Sequence, residues 1–348
     1  MKRIGILTGG GDCPGLNPAI RGVVLKASSL GYECVGIQEG WKGMIGANAK
    51  PLTPEMVEEI VGLGGTVLGT SRTNPYKKEG GVEATLAAFK NLSLDALVAM
   101  GGEDTLGVAA KLYRQHQAPV VGVPKTMDND LSATDYTFGF DTSVTIAMDA
   151  AQRLIDTGRS HRRIMVLEVM GRHAGWVALF TGIAAGADYI CVPERRVDVA
   201  QMSARLKAAH ARKKVALVVT SEAIDLGEDK EEKLDEFDHM ILKERGVGEK
   251  LAELIQKNTG IETRTAVIGH IQRGGPPTLF DRILATRVGV KAAELVSERK
   301  FGVMVAQRGN EVAPVPLEAA TAKLKTVTKE WFDLVDALSG RPIVAHHG

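Results

Sequence analysis

The apolar run IGIL at residues 4–7 stops at Thr8 and three consecutive glycines, and this punctuation limits the fold more than any other feature. A run that short, bounded by glycine, reads as a buried strand. Asn17 followed by Pro18 reads as a helix cap with proline at the first helical position, and Gly31 as the stop, which predicts a helix over residues 19–30. Residues 32–37 form the next apolar run. Strand, glycine turn, helix and strand in that order make a βαβ unit, which implies a parallel sheet. The pattern then returns. Residues 96–100 end in Gly101-Gly102 ahead of a helix over about 105–116, and residues 119–123 end in PKTMDND. A long helix over about 143–157 leads to a strand at 164–169, then to MGRHAGW; residues 215–220 and 265–268 read as two more strands. The expected class is α/β.

Composition excludes several functions. Forty-three Lys plus Arg against 42 Asp plus Glu leave a formal charge of +1, so no basic field holds the chain on nucleic acid or on an anionic membrane. No apolar run reaches the ~18 residues of a bilayer span. The opening MKRIGILTGGGDCPG breaks into glycines too early for a signal-peptide core. Three cysteines (Cys13, Cys34 and Cys191) lack metal-ligand spacing and suit a reducing, cytoplasmic compartment. The dense charge at residues 225–245 reads as a solvated surface and is assigned no function.

In open α/β sheets ligands bind beyond the carboxyl ends of the strands. Gly9, Gly10 and Gly11, followed by Asp12, sit between a strand and a helix, where bare backbone amides can face a phosphate; a plain tight turn is the alternative. The loop fits neither a dinucleotide fingerprint nor a P-loop. Gly101-Gly102-Glu103-Asp104-Thr105 repeats the logic with two acids, which suit Mg²⁺ beside phosphate oxygens, or simply cap the helix. Lys125, Asp128 and Asp130 in PKTMDND are either turn residues or the charge and proton acceptor of a phosphoryl transfer. Gly269-His270-Ile271-Gln272-Arg273-Gly274-Gly275, with Arg163, Arg172, His173 and Arg264, makes a candidate cradle for an anionic sugar, although each arginine alone reads as a surface residue.

GGGDCPGLNPAIRGVV, GGTVLGTSR, GGEDT, PKTMDND, SHRRIMVLEVMGRHAGW, SEA and ETRTAVIGHIQRGG occur in this order and resemble the 6-phosphofructokinase family over about residues 4–286. NAD kinases and lipid kinases share GGDGT-like loops but lack the later motifs. The resemblance implies two similar three-layer lobes with mainly parallel sheets and the active site in the cleft. The donor lobe would be residues 1–139 plus about 272–305, and the fructose 6-phosphate lobe 140–271 plus about 306–348. It also implies Asp128 as the base that accepts the sugar 1-hydroxyl proton, with Asp104, Lys125 and Arg172 as further catalytic residues. Thr126, Met127, Met170, Gly171, Arg172 and Glu222 would hold the sugar, with Arg163, Arg264, His270, Ile271, Gln272 and Arg273 around its 6-phosphate. Gly10, Gly11 and Arg72 would face the donor, and Glu103 would bind Mg²⁺. In the family Arg163 and Arg264 reach in from a neighbouring subunit, so a homodimer or homotetramer is expected.

The same resemblance bears on the donor. ATP-using relatives carry glycine at position 104, whereas Asp104 would fill the α-phosphate space and repel a third phosphate. Lys125 would offset that carboxylate, and this Asp–Lys pair is what pyrophosphate-dependent members carry. Thr73 and Lys77 replace an aromatic and an arginine on the adenine side, while Trp41 keeps an aromatic there. An ATP-dependent 6-phosphofructokinase and a non-catalytic sugar-phosphate sensor remain as alternatives.

Overall fold

The computed structural model describes residues 2–226 and 246–338 of the chain. In chain order the first elements are β1 (Lys2–Thr8), α1 (Leu16–Ser29), β2 (Tyr32–Ile37), α2 (Trp41–Ile45), β3 (Ala49–Leu52) and α3 (Gly81–Asn91). Then follow β4 (Ala96–Gly101), α4 (Glu103–His116), β5 (Val120–Pro124), α5 (Phe140–His161), β6 (Ile164–Val169) and α6 (Trp176–Ala185). The chain continues through β7 (Tyr189–Cys191), α7 (Val199–Lys213), β8 (Ala216–Ser221), α8 (Val247–Thr259) and β9 (Thr263–Val267). It ends with α9 (Leu279–Ser297), β10 (Val303–Arg308), β11 (Glu311–Pro316), α10 (Leu317–Thr321) and α11 (Lys329–Leu338).

These elements form two units. The described residues of the first are 2–142 and 273–324; those of the second are 143–226, 246–272 and 325–338. The first unit is built on a seven-stranded sheet in the order β11-β10-β5-β4-β1-β2-β3, parallel except for β3 and β11 at its edges. Side chains alternate across each strand. Leu7, Leu97, Ala99, Val120 and Met304 therefore share one face with Trp41, Leu106, Leu112 and Leu317 of α2, α4 and α10. On the opposite face Ile4, Ile6, Val98, Val121 and Val305 are buried, as are Ile20 and Val23 of α1 and Val288 and Ala292 of α9. A Cβ on Gly22 of α1 would lie 2.7 Å from the Thr286 carbonyl oxygen of α9, so glycine lets those two helices meet backbone to backbone.

The second unit carries the fully parallel sheet β7-β8-β6-β9. Ile164, Val166, Ala216 and Val218 face Met202, Leu206, Leu251 and Ile255 of α7 and α8. Both units are α/β with mainly parallel sheets, but they differ in extent. The segment 306–324, expected with the sugar lobe, belongs to the first unit, because β11 pairs antiparallel with β10 along its length and carries residues 311–316 into that sheet.

Two local expectations are corrected. Asn17 does not cap α1: Gly15, at φ 113, stands at the N-cap, and the Asn17 side chain donates to the Leu63 and Gly64 carbonyls and accepts from Val67 N. The proline is inside the helix as expected, but the asparagine closes a loop rather than the helix end. The charge-dense segment lies outside the described residues beyond Leu226. No described helix is long and apolar enough to cross a membrane.

Candidate active site

In the first unit β1 leads through α1 to β2 on one side, and β4 leads through α4 to β5 on the other, so the strand order reverses between β1 and β4. That switch point is where a parallel sheet opens a crevice at its carboxyl edge. The loops there are the glycine triplet and Gly101-Gly102. Gly9 N donates to Met100 O at 2.9 Å and Gly10 N to Ser71 O at 3.1 Å, tying the triplet to β4 and to the segment carrying exposed Arg72. Gly10 sits at φ 76, a left-handed conformation that a side chain would strain. Gly11 is glycine for another reason: a Cβ there would lie 2.7 Å from Arg273 Nη1.

Glu103 and Asp104 open α4, but the N-cap is Gly102 in extended conformation with no side-chain cap, so Asp104 does not cap the helix. Both acids line a cleft of about 520 Å³ that runs past Asn74, Lys77, Gly107 and Lys111. One adenine-side expectation changes here. Trp41 is 1% exposed within the core and offers no stacking face, and Thr73 is buried as well. The space beyond Asp104 is nevertheless open, so the expectation that its carboxylate fills the cleft is not met.

Lys125 closes the site from below. It is 4% exposed, its Nζ donates to the Gly11 carbonyl, and burial holds its ammonium below the usual lysine range. Asp128 follows in a tight turn in which its own amide donates to Thr126 Oγ1 at 3.1 Å. Asn129 takes a left-handed φ of 52°, and its Oδ1 accepts from Thr137 N, while Thr137 Oγ1 donates to Thr126 O at 2.7 Å. The turn is thus internally bonded, and Asp128 Oδ1 is left buried without a hydrogen-bond partner among the described residues. Asp130, whose neighbours include Asp128 and Glu103, is pushed up to about 7, first by burial and then by the Asp128 charge. Glu103 and Asp104, side by side in the open cleft, fit a divalent cation bound partly by substrate oxygens. Among the described residues no three His, Cys, Asp or Glu side chains form a self-sufficient metal cluster. Arg273, expected at the sugar phosphate, donates from Nη1 to Asp12 O at 2.9 Å, beside the glycine triplet of its own unit.

In the second unit Met170, Gly171 and Arg172 follow β6, Glu222 follows β8, and residues 269–272 of a 3-10 turn follow β9; all leave the carboxyl edge of one sheet. Met170 is buried, Arg172 and Glu222 are half-buried, and His270 and Ile271 are exposed. Glu222 N donates to Val169 O at 3.0 Å, fixing it beside the end of β6. Gln272 is a correction: it is 0% exposed, its Nε2 donates to Ser143 O and Oγ, and its Oε1 accepts from Met170 N at 2.8 Å. It positions the loop and has no free group for a ligand. Met127 in the first unit, 1% exposed, is likewise a packing residue.

Arg163 and Arg264 do not join these loops. Both ion-pair with Glu262 Oε1, at 2.9 and 2.5 Å, at the amino ends of β6 and β9. From Arg163 to Met170 the strand runs seven residues, about 23 Å at the usual rise. The pair therefore faces the other edge of the sheet. Cys13, placed just before a helix, is fully buried and pushed up to about 12 by desolvation, which makes it a packing residue and not a nucleophile.

A glycine-rich turn, paired acids and a buried lysine on one parallel-sheet edge suit a protein that handles phosphoryl groups. Comparison with known proteins narrows the class. The family model described as Phosphofructokinase matches residues 3–296. The pyrophosphate–fructose 6-phosphate 1-phosphotransferase of Dictyoglomus thermophilum is 50% identical over 339 residues, covering 96% of this chain and 97% of that one. ATP-dependent 6-phosphofructokinase 2 of Streptomyces coelicolor is 44% identical, covering 97% of this chain and 99% of that one. Among solved structures, a pyrophosphate-dependent phosphofructokinase from Marinobacter aquaeolei superposes with a TM-score of 0.82 at 21% identity, over 97% of this chain and 91% of that one, which shows the shared fold. The chain belongs to the phosphofructokinase family.

Proposed function

We propose that this chain transfers a phosphoryl group from pyrophosphate to the 1-hydroxyl of fructose 6-phosphate, giving fructose 1,6-bisphosphate and phosphate, reversibly. The observation that carries the donor choice is the pair of Asp104 in the open cleft and Lys125 buried against the glycine loop. Asp104 opposes the added charge of a nucleotide triphosphate. Lys125 supplies a fixed cation beside the transferring phosphoryl group, and the anionic donor restores the charge that burial disfavours. The names of relatives at about half identity over nearly their full length support the same reading.

In the reaction the sugar 1-oxygen forms a bond to the attacked phosphorus as the bridging P–O bond of pyrophosphate breaks. Asp128 takes the hydroxyl proton, and phosphate leaves. Asp128 Oδ1, buried and unpartnered, is available for that proton. Gly10, Gly11 and Arg72 hold the donor, while Thr126, Met170, Gly171, Arg172 and Glu222 hold the sugar. Mg²⁺, which fits at Glu103, supplies charge neutralisation of the phosphate oxygens when bound. His270 and Arg273 remain assigned to the 6-phosphate.

Arg163 and Arg264 lie at the far edge of their sheet, so they serve a phosphate only across a subunit boundary, and the working unit is a homodimer or homotetramer. Three buried free thiols suit a reducing cytoplasm.

Assay of the purified protein with each donor tests the reading. Fructose 1,6-bisphosphate should form with pyrophosphate and not with ATP; turnover with ATP alone would overturn the donor assignment. Asp104→Gly should gain ATP-dependent turnover, since the cleft beyond it is open. A sugar-phosphate sensor has no use for an unpartnered Asp128 carboxylate beside a buried lysine.

A further inference from the structure

The loop from Met170 to Gly175 is held at three places, all within the second unit. Gln272 takes the Met170 amide, Ser221 Oγ donates to the Gly171 carbonyl at 2.6 Å, and Glu194 takes the Gly175 amide with both carboxylate oxygens, at 2.9 and 3.1 Å. The first two anchors belong to strand ends of the same sheet. The third does not: Glu194 Oε1 also accepts from Val327 N at 3.0 Å, so one carboxylate joins the end of the sugar loop to residues near the C-terminus.

The joint is reinforced on both sides. Trp176 Nε1 donates to Lys325 O at 2.7 Å, and the Trp176 ring meets Trp331 of α11 edge to face at 6.1 Å, with Phe180 4.8 Å from Trp331. Next to Glu194, Arg195 binds Asp336 of α11 through two parallel hydrogen bonds of 2.8 and 3.1 Å and covers the Phe332 ring at 4.4 Å. No residue of α11 is fully buried. The contacts named above end on Trp176, Phe180, Glu194 and Arg195. A Cβ on Gly175 would lie 2.7 Å from Glu194 Oε2, which leaves the carboxylate no slack against that turn.

We propose that Glu194 is a positioning residue for fructose 6-phosphate binding, and that residues 325–338 form a strap which, through Glu194 and Trp176, holds the loop carrying Met170 and Arg172. In this role Glu194 acts through the Gly175 and Val327 amides. It fixes the amide at the close of a loop whose other end is pinned by Gln272, so Arg172, between the two pins, is presented in one conformation. The proposal rests on the assignment of residues 170–172 to the sugar.

The test is steady-state kinetics of Glu194→Ala, Trp331→Ala and the pair, with Glu194→Gln as the conservative variant and Arg172→Ala as the control for the site. Expected are KM values for fructose 6-phosphate raised about 5- to 20-fold in each single variant, with kcat and the KM for pyrophosphate within about twofold of the parent, because lost preorganisation weakens sugar binding alone. The double variant should cost less than the product of the singles, since both act on one joint. Glu194→Gln, which keeps an acceptor oxygen, should recover most of the affinity. Unchanged KM in both alanine variants, or a proportional fall in all parameters that follows the loss of folded protein by calorimetry, would overturn the strap. If Arg172→Ala leaves the sugar KM unchanged, the loop assignment falls and the strap with it; a raised KM in Arg172→Ala beside parent values in the others rejects the strap alone.

Discussion

At the residue scale, the acids around Asp128 are set against one another. Asp130 is pushed up to about 7 by burial and by Asp128, with Glu103 adding to it. The folded chain therefore binds a proton between about pH 4 and 7 that the unfolded chain has released, and stability falls as pH rises through that window. In Mg²⁺-free buffer Asp130→Asn should melt a few degrees above the parent at pH 8 and lose that advantage toward pH 4; calorimetry across the range checks it. Lys125 and Asp128 in PKTMDND read either as turn residues or as phosphoryl-transfer groups, and the family resemblance chose between them. Asp130 read equally well as a turn residue, because its burial depends on chain segments distant in sequence. Met127 and Gln272 show the converse. Both lie inside recognisable motifs, yet packing takes their side chains out of reach of a ligand.

At the scale of elements, the sheet is held by helices whose contacts depend on missing side chains. Gly22 lets α1 approach the α9 backbone, and a Cβ would meet the Thr286 carbonyl at 2.7 Å. Gly22→Val should destabilise the protein by about 1–3 kcal/mol through overpacking, as read by urea unfolding. The starts of α5 and α9 are also tied: Asp281 Oδ2 accepts from Thr142 N and Thr142 Oγ1, while Thr278 Oγ1 donates to Asp141 at 2.6 Å. These helices follow the Asp128 turn and the Arg273 loop, so a buried carboxylate stabilises the scaffold of both. Short apolar runs and glycine stops located β1, β2, β4 and β5 and the helices α1 and α4 within a few residues, whereas α2, β3 and α3 were not read. β10 and β11 were not foreseen in the first sheet, because strand pairing at an edge is a long-range choice that local periodicity does not encode.

At the scale of the whole molecule, Arg163 and Arg264 sit on the amino edge of a sheet whose carboxyl edge carries Arg172 and Glu222. If each chain lends its amino-edge arginines to another copy, two defective chains can restore one another. Asp128→Ser and Arg264→Ala proteins, each losing about two or more orders of magnitude in rate, should regain measurable turnover when unfolded together and refolded as hybrids; separately refolded samples mixed afterwards provide the baseline.

The sequence by itself determined the class of sheet, the order of the phosphate-handling loops and the kind of chemistry they carry, because strand period, glycine punctuation and residue type act locally. Only the tertiary structure decided which motif residues are exposed, that Trp41 is core, that Arg273 bonds the Asp12 carbonyl beside the glycine triplet, and that Glu194 joins the Gly175 amide to that of Val327. Those outcomes depend on burial and on contacts between residues far apart in the chain, where the hydrogen bond or desolvation of each group is set by partners that its own neighbourhood does not name.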